Sequence, residues 1–387
     1  MLQNSIAVIK HYDYNLSALA DSISLTNEEI ISYRKSRPRY PPYHANECMI
    51  CHKQLGHRGV KKCTSHSLPQ FVLKHLGTKI YNINAFIKVP FEKEHSGIGE
   101  AGIFKLICEH CDNTFFQDYE DESKYTAAQS SIHSSQKALN EVALKNYLHS
   151  LYGNLSDRKR YRALIEDIKK AKPRAEETIE NLKYEVDVLT ADIKDIKASL
   201  ETTLSSRPLL DSKPSYRFYE VVYYHVFQRS FPIAAQGKVT IDTDCWGNKI
   251  NNLYDYDIPP QDLHICFFPS DSETAVLVFT EKANDRFDKM RDTIHSLTDD
   301  SIAKAFLSMF IAQNANFFLS SSIERDIFDN QYLRQLSGED GIVQSYSHST
   351  MPISRDQILK SIQDNQISGS LPLLLQYEKI PNCLIGK

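Results

Sequence analysis

The sequence predicts an α+β protein in three parts, and three observations carry that prediction. Two Cys-x-x-Cys pairs, Cys48 with Cys51 and Cys108 with Cys111, bracket a long insertion. Ala175, Ile179, Leu182, Val186, Leu189, Ile193, Ile196 and Leu200 recur at alternating steps of four and three. Beyond residue 215, aromatic and β-branched residues gather into short runs divided by turn residues, and helical patterns follow. These features predict a metal-stapled N-terminal module, a central coiled-coil or helical-hairpin insertion, and a C-terminal α+β domain. The implied boundaries are an arm at 1–45, the cysteine module at 46–122, the helical segment at 138–204, the α+β domain at 216–336 and a tail at 337–387.

In the arm, Thr26 and Glu29 have the form of a capping box, so a short helix is expected to run to about Lys35. The prolines of Arg37-Pro-Arg-Tyr-Pro-Pro-Tyr43 then force an extended path. Within the module, Leu68, Phe71, Val72 and Leu76 stand at helical spacing ahead of Gly77, a suitable helix stop. Gly97 to Gly102 reads as a flexible turn that matches no phosphate-binding fingerprint, and Ile103 to Ile107 as a short strand leading to the second cysteine pair.

Ala138 to Tyr152 predicts a helix closed by Gly153, followed by one from about Asp157 to Lys172 and another from Pro173 to about Leu204. The last holds nearly four heptads, a seam about 45 Å long. It serves either an intermolecular coil or an intrachain hairpin, and β-branched Ile179, Val186 and Ile193 tilt the choice toward an antiparallel or intrachain arrangement. Residues 205–215 read as a linker. Tyr216 to Gln228 is ambiguous between strand and helix. Lys238–Asp242, Leu263–Phe268 and Thr274–Phe279 read as strands, and helices are expected at about 283–297, 299–313 and 323–336.

Composition bounds the function. No apolar run is long enough to span a bilayer and the first ten residues do not form a leader, so a cytoplasmic protein without a membrane role is expected. Eight cysteines in 387 residues are too few for a disulfide scaffold. The net charge of −4 conceals an asymmetry: Arg34 to Cys111 holds thirteen Lys/Arg against five acids, +8, so the remainder sums to −12. A basic module in an acidic chain either meets phosphate, with Arg58, Lys61, Lys62 and Lys74 as candidate contacts, or is simply a solvated face.

The two cysteine pairs are expected to complete one tetrahedral zinc site from Cys48, Cys51, Cys108 and Cys111, since each pair bends the backbone to turn both thiolates inward. Between them lies Ser65-His-Ser-Leu-Pro-Gln-Phe-Val-Leu73, and after them Asp112-Asn113. Cys48-x-x-Cys51, this segment and Cys108-x-x-Cys111-Asp112-Asn113 together resemble the zinc-stapled branch of the HNH endonuclease superfamily, over about residues 46–122.

That resemblance implies a treble-clef, ββα-metal module in which His66 is the general base for phosphodiester hydrolysis. It also implies a second divalent ion, such as Mg2+ or Mn2+, that neutralises the leaving oxygen. In the family an acidic residue just before the histidine and a His or Asn just after the last cysteine hold that ion. Here those places are taken by Ser65 and by Asp112 and Asn113, and the middle Asn of the pattern is missing. The resemblance further implies a role in anti-phage defence, sometimes beside an ATPase partner.

Against the base that the resemblance implies, the residues alone offer two other readings of His66: it replaces a cysteine in the zinc shell, with Cys63 as its pair, or it caps the helix near Pro69. Two functions stand at this point: a metal-dependent DNA endonuclease, or a catalytically inactive zinc protein that binds nucleic acid or acts as a scaffold. In the second, the coiled coil joins the chain to itself or to a partner protein.

Overall fold

The computed structural model describes residues 40–87, 94–125, 131–171, 176–213, 215–252, 258–282, 285–337 and 371–387. The helix expected before Lys35, Pro173 and most of the tail lie outside them. Among the described residues no helix is long and apolar enough to cross a membrane.

The organising element is a seven-stranded antiparallel sheet. Five of its strands are β5 (Tyr219–Phe227), β6 (Ile233–Val239), β7 (Leu263–Pro269), β8 (Thr274–Glu281) and β9 (Phe317–Ser320). The other two, β2 (Lys79–Tyr81) and β3 (His95–Gly97), come from between the cysteine pairs, and the order is β3-β2-β9-β6-β7-β8-β5. Ile80 pairs with Ser320 and Tyr81 with Leu319, so the cysteine-bearing region and the C-terminal α+β region share one sheet.

Strands β7 and β8 are interior strands, buried on both faces, which is why each reads as an almost unbroken apolar run. Ile265, Phe267, Val276 and Val278 face one core, which α7 (Asp299–Gln313) closes. Cys266, Phe268, Leu277 and Phe279 face the other, which holds the cysteine module and the base of the helical insertion. Helix α7 begins at the predicted residue because Thr298 accepts a bond from the Ser301 amide, and Ile302 to Ile311 are then buried throughout.

The helical insertion is a hairpin of α4 (Gln136–Ala171) and α5 (Glu176–Ser212). Its seam is satisfied within the chain: Ile179, Leu182, Val186, Leu189, Ile193, Ile196 and Leu200 are all buried. The outer half packs on itself, with Tyr161, Ile165 and Ile168 of α4 against Ile179 to Leu189 of α5. The inner half joins the core beneath the sheet.

Several local expectations are corrected. Gly153 does not end a helix, because apolar contacts on both sides, Leu151 and Leu155, carry α4 through it. The linker expected at 205–215 is helical to Ser212 despite Pro208. There Arg207 pairs with the buried Glu141 at 2.8 Å and Asn140 donates to Ser206 and to the Thr203 carbonyl, contacts that outweigh the bond Pro208 cannot make. The strand expected at 238–242 lies earlier, as β6. The helix expected at 283–297 is confined to α6 (Asp288–Ile294), and that at 323–336 divides into a 3₁₀ turn (Arg325–Asp329) and α8 (Gln331–Leu336). The tail is more than an appendage: Leu374, Ile380, Leu384 and Ile385 enter the core beside α7.

Candidate metal centre

The first cysteine pair lies on a turn, Cys48 to Cys51, whose amides fold back on it. The Cys48 amide donates to the Lys53 carbonyl and the His52 amide to the Cys48 carbonyl, with His52 in the left-handed region at φ 57°. The second pair lies at the start of α3 (Glu109–Phe115): Cys108 is its N-cap and Cys111 ends its first turn. Between the two pairs, β1 (Ser65–His66) pairs with β4 (Ile103–Phe104), and the short helix α1 (Gln70–His75) follows β1.

Gly77 closes α1 at φ 105°, as the sequence implies. Gly102 sits at φ 61° with Ser67 so close that a β-carbon would strike its hydroxyl, which fixes how β4 enters.

This framework brings all four predicted cysteines together. The Sγ atoms of Cys48, Cys51, Cys108 and Cys111 lie within 4.8 Å of one another, a cluster able to hold one metal ion. Cys51 and Cys108 are 3.8 Å apart, close to the roughly 3.8 Å edge of a tetrahedron with metal–sulfur bonds of about 2.3 Å. Backbone amides already point at the sulfurs, Cys108 N–H at Cys48 Sγ (3.4 Å) and Cys111 N–H at Cys108 Sγ (3.5 Å). Burial pushes the Cys48 and Cys111 thiols above their ordinary range. For Cys51 burial acts in the same sense, but the Lys53 amide and the neighbouring sulfurs outweigh it and hold this thiol low.

Cys63 and His66 stand outside the cluster, which corrects the idea that they form a ligand pair. Cys63 Sγ donates instead to Asp112 at 3.1 Å, and burial and that carboxylate push its thiol up to about 12. His66 is half-buried; its Nδ1 lies 3.4 Å from Gln70 Nε2 at the start of α1, and among the described residues its Nε2 meets no partner at hydrogen-bond geometry. Burial, then the charge of Lys145, hold the imidazole below its ordinary value, with Asp112 acting in the opposite sense.

Asp112 sits on α3 and is consumed by neighbours. Ser65 Oγ donates to its Oδ1 at 2.6 Å, and Lys145 Nζ reaches the same oxygen at 2.9 Å and Ser65 Oγ at 2.8 Å. Burial opposes the carboxylate charge, but Lys145 and the Ser65 hydroxyl overcome it and hold Asp112 below the usual range. Lys145 comes from the first third of α4, is fully buried, lies 4.0 Å over the Phe116 ring and also reaches Glu120 at 3.4 Å. Sequence reasoning missed it: a single lysine in a long helix carries no motif. Asn113, the neighbouring candidate, is exposed.

The four basic candidates are exposed. Arg58, Lys61 and Lys62 share the loop after the first pair, where Arg58 adopts φ 47° and Lys61 approaches Glu109 at 3.5 Å. Lys74 stands apart, in the last turn of α1 beside His75, which bonds Asp271 and Glu122. Of the acids at 118–122, Asp118 is held by Lys124 and Lys137. No protein-family model, curated protein or solved structure matches the chain.

Proposed function

We propose that this chain is a zinc-stapled nucleic-acid-binding protein, built on an HNH-like treble-clef module that holds its target without cutting it. Four sulfur donors and no oxygen donor favour zinc, in a closed site whose work is to pin α3 to the first knuckle. The knuckle, the β1–β4 pair and the helix that supplies the second cysteine pair support the treble-clef reading. Arg58, Lys61 and Lys62 on the adjacent loop supply charge for phosphates.

The observation that carries the non-cleaving part is Lys145. The two places where the resembling family holds its hydrolytic ion are here Ser65 and Asp112, and one ammonium bonds both. An ammonium supplies fixed positive charge but no open coordination position, so it cannot polarise a phosphoryl oxygen or bind the leaving group as a divalent ion does. The endonuclease alternative keeps one support, the His66 imidazole, whose hold on a proton burial and the charge of Lys145 weaken.

Incubating the protein and His66→Ala with labelled duplex DNA in Mg2+, Mn2+, Ni2+ or Zn2+ separates the readings. The expected result is binding that weakens steeply with salt and no cleavage by either protein. Cleavage lost in His66→Ala would overturn the proposal in favour of the nuclease, and no binding at low salt would remove nucleic acid altogether and leave a scaffold.

A further inference from the structure

A basic surface outside the cysteine module remains without a role. From Asp157 to Lys170, α4 carries six bases against three acids, whereas residues 176–195 of α5 carry seven acids against two bases. The two sides of the hairpin therefore differ in sign. Elsewhere on these helices Lys169 pairs with Glu166 and Lys183 with Glu180, each with an acid one turn away. Arg160 has such a partner in Asp157. Among the described residues, no carboxylate pairs with Arg158, Lys159 or Arg162. Arg158 and Arg162 are one turn apart on one face.

The segment before the first knuckle lies along this strip. The Tyr43 amide donates to Ser156 Oγ at 3.1 Å, Lys159 Nζ to the Pro42 carbonyl at 3.2 Å and the Tyr40 hydroxyl to Asp167 at 2.8 Å. Residues 43 to 40 thus run beside α4 from residue 156 toward 167. Only four residues then separate Tyr43 from Cys48, five steps of chain, so Tyr43 lies at most about 18 Å from the knuckle. That length matches about five phosphates along one strand of duplex at 3.4 Å each.

We propose that Arg158, Lys159 and Arg162, with the Tyr40 to Tyr43 segment beside them, form a second phosphate-contacting surface that continues the one on the knuckle loop, so that one nucleic-acid backbone is held by both. The inference rests on the nucleic-acid-binding reading above. Burial and then the charge of Arg162 both disfavour the Arg158 guanidinium, a repulsion that a bound phosphate relieves. The acidic flank of α5 repels the same polyanion and confines it to the α4 side.

The test is fluorescence anisotropy with a labelled 30-base-pair duplex between 50 and 250 mM salt. Four proteins are compared: wild type, Arg158→Gln/Arg162→Gln, the charge-retaining Arg158→Lys/Arg162→Lys, and the loop variant Arg58→Gln/Lys61→Gln/Lys62→Gln. Neutralising two contacts is expected to lower the slope of log affinity against log salt by about 1.8 and to weaken binding roughly tenfold at low salt, while the lysine variant keeps the wild-type slope.

An unchanged slope in Arg158→Gln/Arg162→Gln, with a reduced one in the loop variant, overturns this inference and leaves the binding reading standing. Equal loss in the glutamine and lysine variants also overturns it, because the arginines would then act through packing. A wild-type protein that binds no duplex overturns both.

Discussion

Lys145 Nζ lies 2.9 Å from Asp112 Oδ1, a charged link between the first third of the hairpin's first helix and the helix that carries the second cysteine pair. The lysine side chain is 1% exposed and the aspartate 19%, so the pair is shielded by protein. Removing one partner strands the other charge. Lys145→Met is therefore expected to destabilise the fold by about 3 kcal/mol in denaturant unfolding. Lys145→Met/Asp112→Asn is expected to recover part of that loss, since neither charge is then left alone. Additive losses in the double-mutant cycle would show that the two side chains are not coupled.

The four thiols share one cluster, so losing any one opens the site. Purified protein is expected to hold about one zinc per chain by elemental analysis, and Cys111→Ser to hold far less. Because metal binding and folding are coupled, a strong chelator should lower the unfolding midpoint of wild type and leave that of Cys111→Ser unmoved. A chelator that moves both equally would separate the cysteines from metal.

His264, on β7, is fully buried between Asn146, whose amide meets its Nδ1 at 3.1 Å, the stacked Phe279 ring and the edge of Tyr147. Burial holds its imidazole at about 4; nearby Asp262 favours the charged form and Lys238 opposes it. A folded value below the unfolded one of about 6.5 means that stability is full at neutral pH and falls as pH drops from 6.5 toward 4, by about 3 kcal/mol in total. Denaturant midpoints between pH 7.5 and 5 should therefore decline in wild type and decline less in His264→Gln. Parallel declines would place the acid sensitivity elsewhere.

Legibility in the sequence followed the range of the forces involved. The cysteine cluster was readable because both halves of each pair are three residues apart, and the hairpin seam because its period is local. Strands β7 and β8 were readable because burial on two faces leaves mostly apolar residues. Strands β2, β3 and β9, three or four residues each, were not read as sheet partners, since their pairing comes from residues far along the chain. Gly153 and Pro208 misled for the same reason: each is a local stop signal that contacts elsewhere overrule. Most consequentially, Lys145 lies 33 positions from Asp112, and only folding shows that it fills the place beside Ser65.

The sheet's register also sets an order of events during synthesis. Ser67 on the module donates to Asn316 across 249 residues, and β2 has no partner on one edge until β9 exists. At about 5–20 residues per second, the N-terminal region waits roughly 12–50 s on the ribosome with that edge bare. A metal ion bound at the four thiols would hold the knuckle together through this interval, before the strand that completes the sheet has been made.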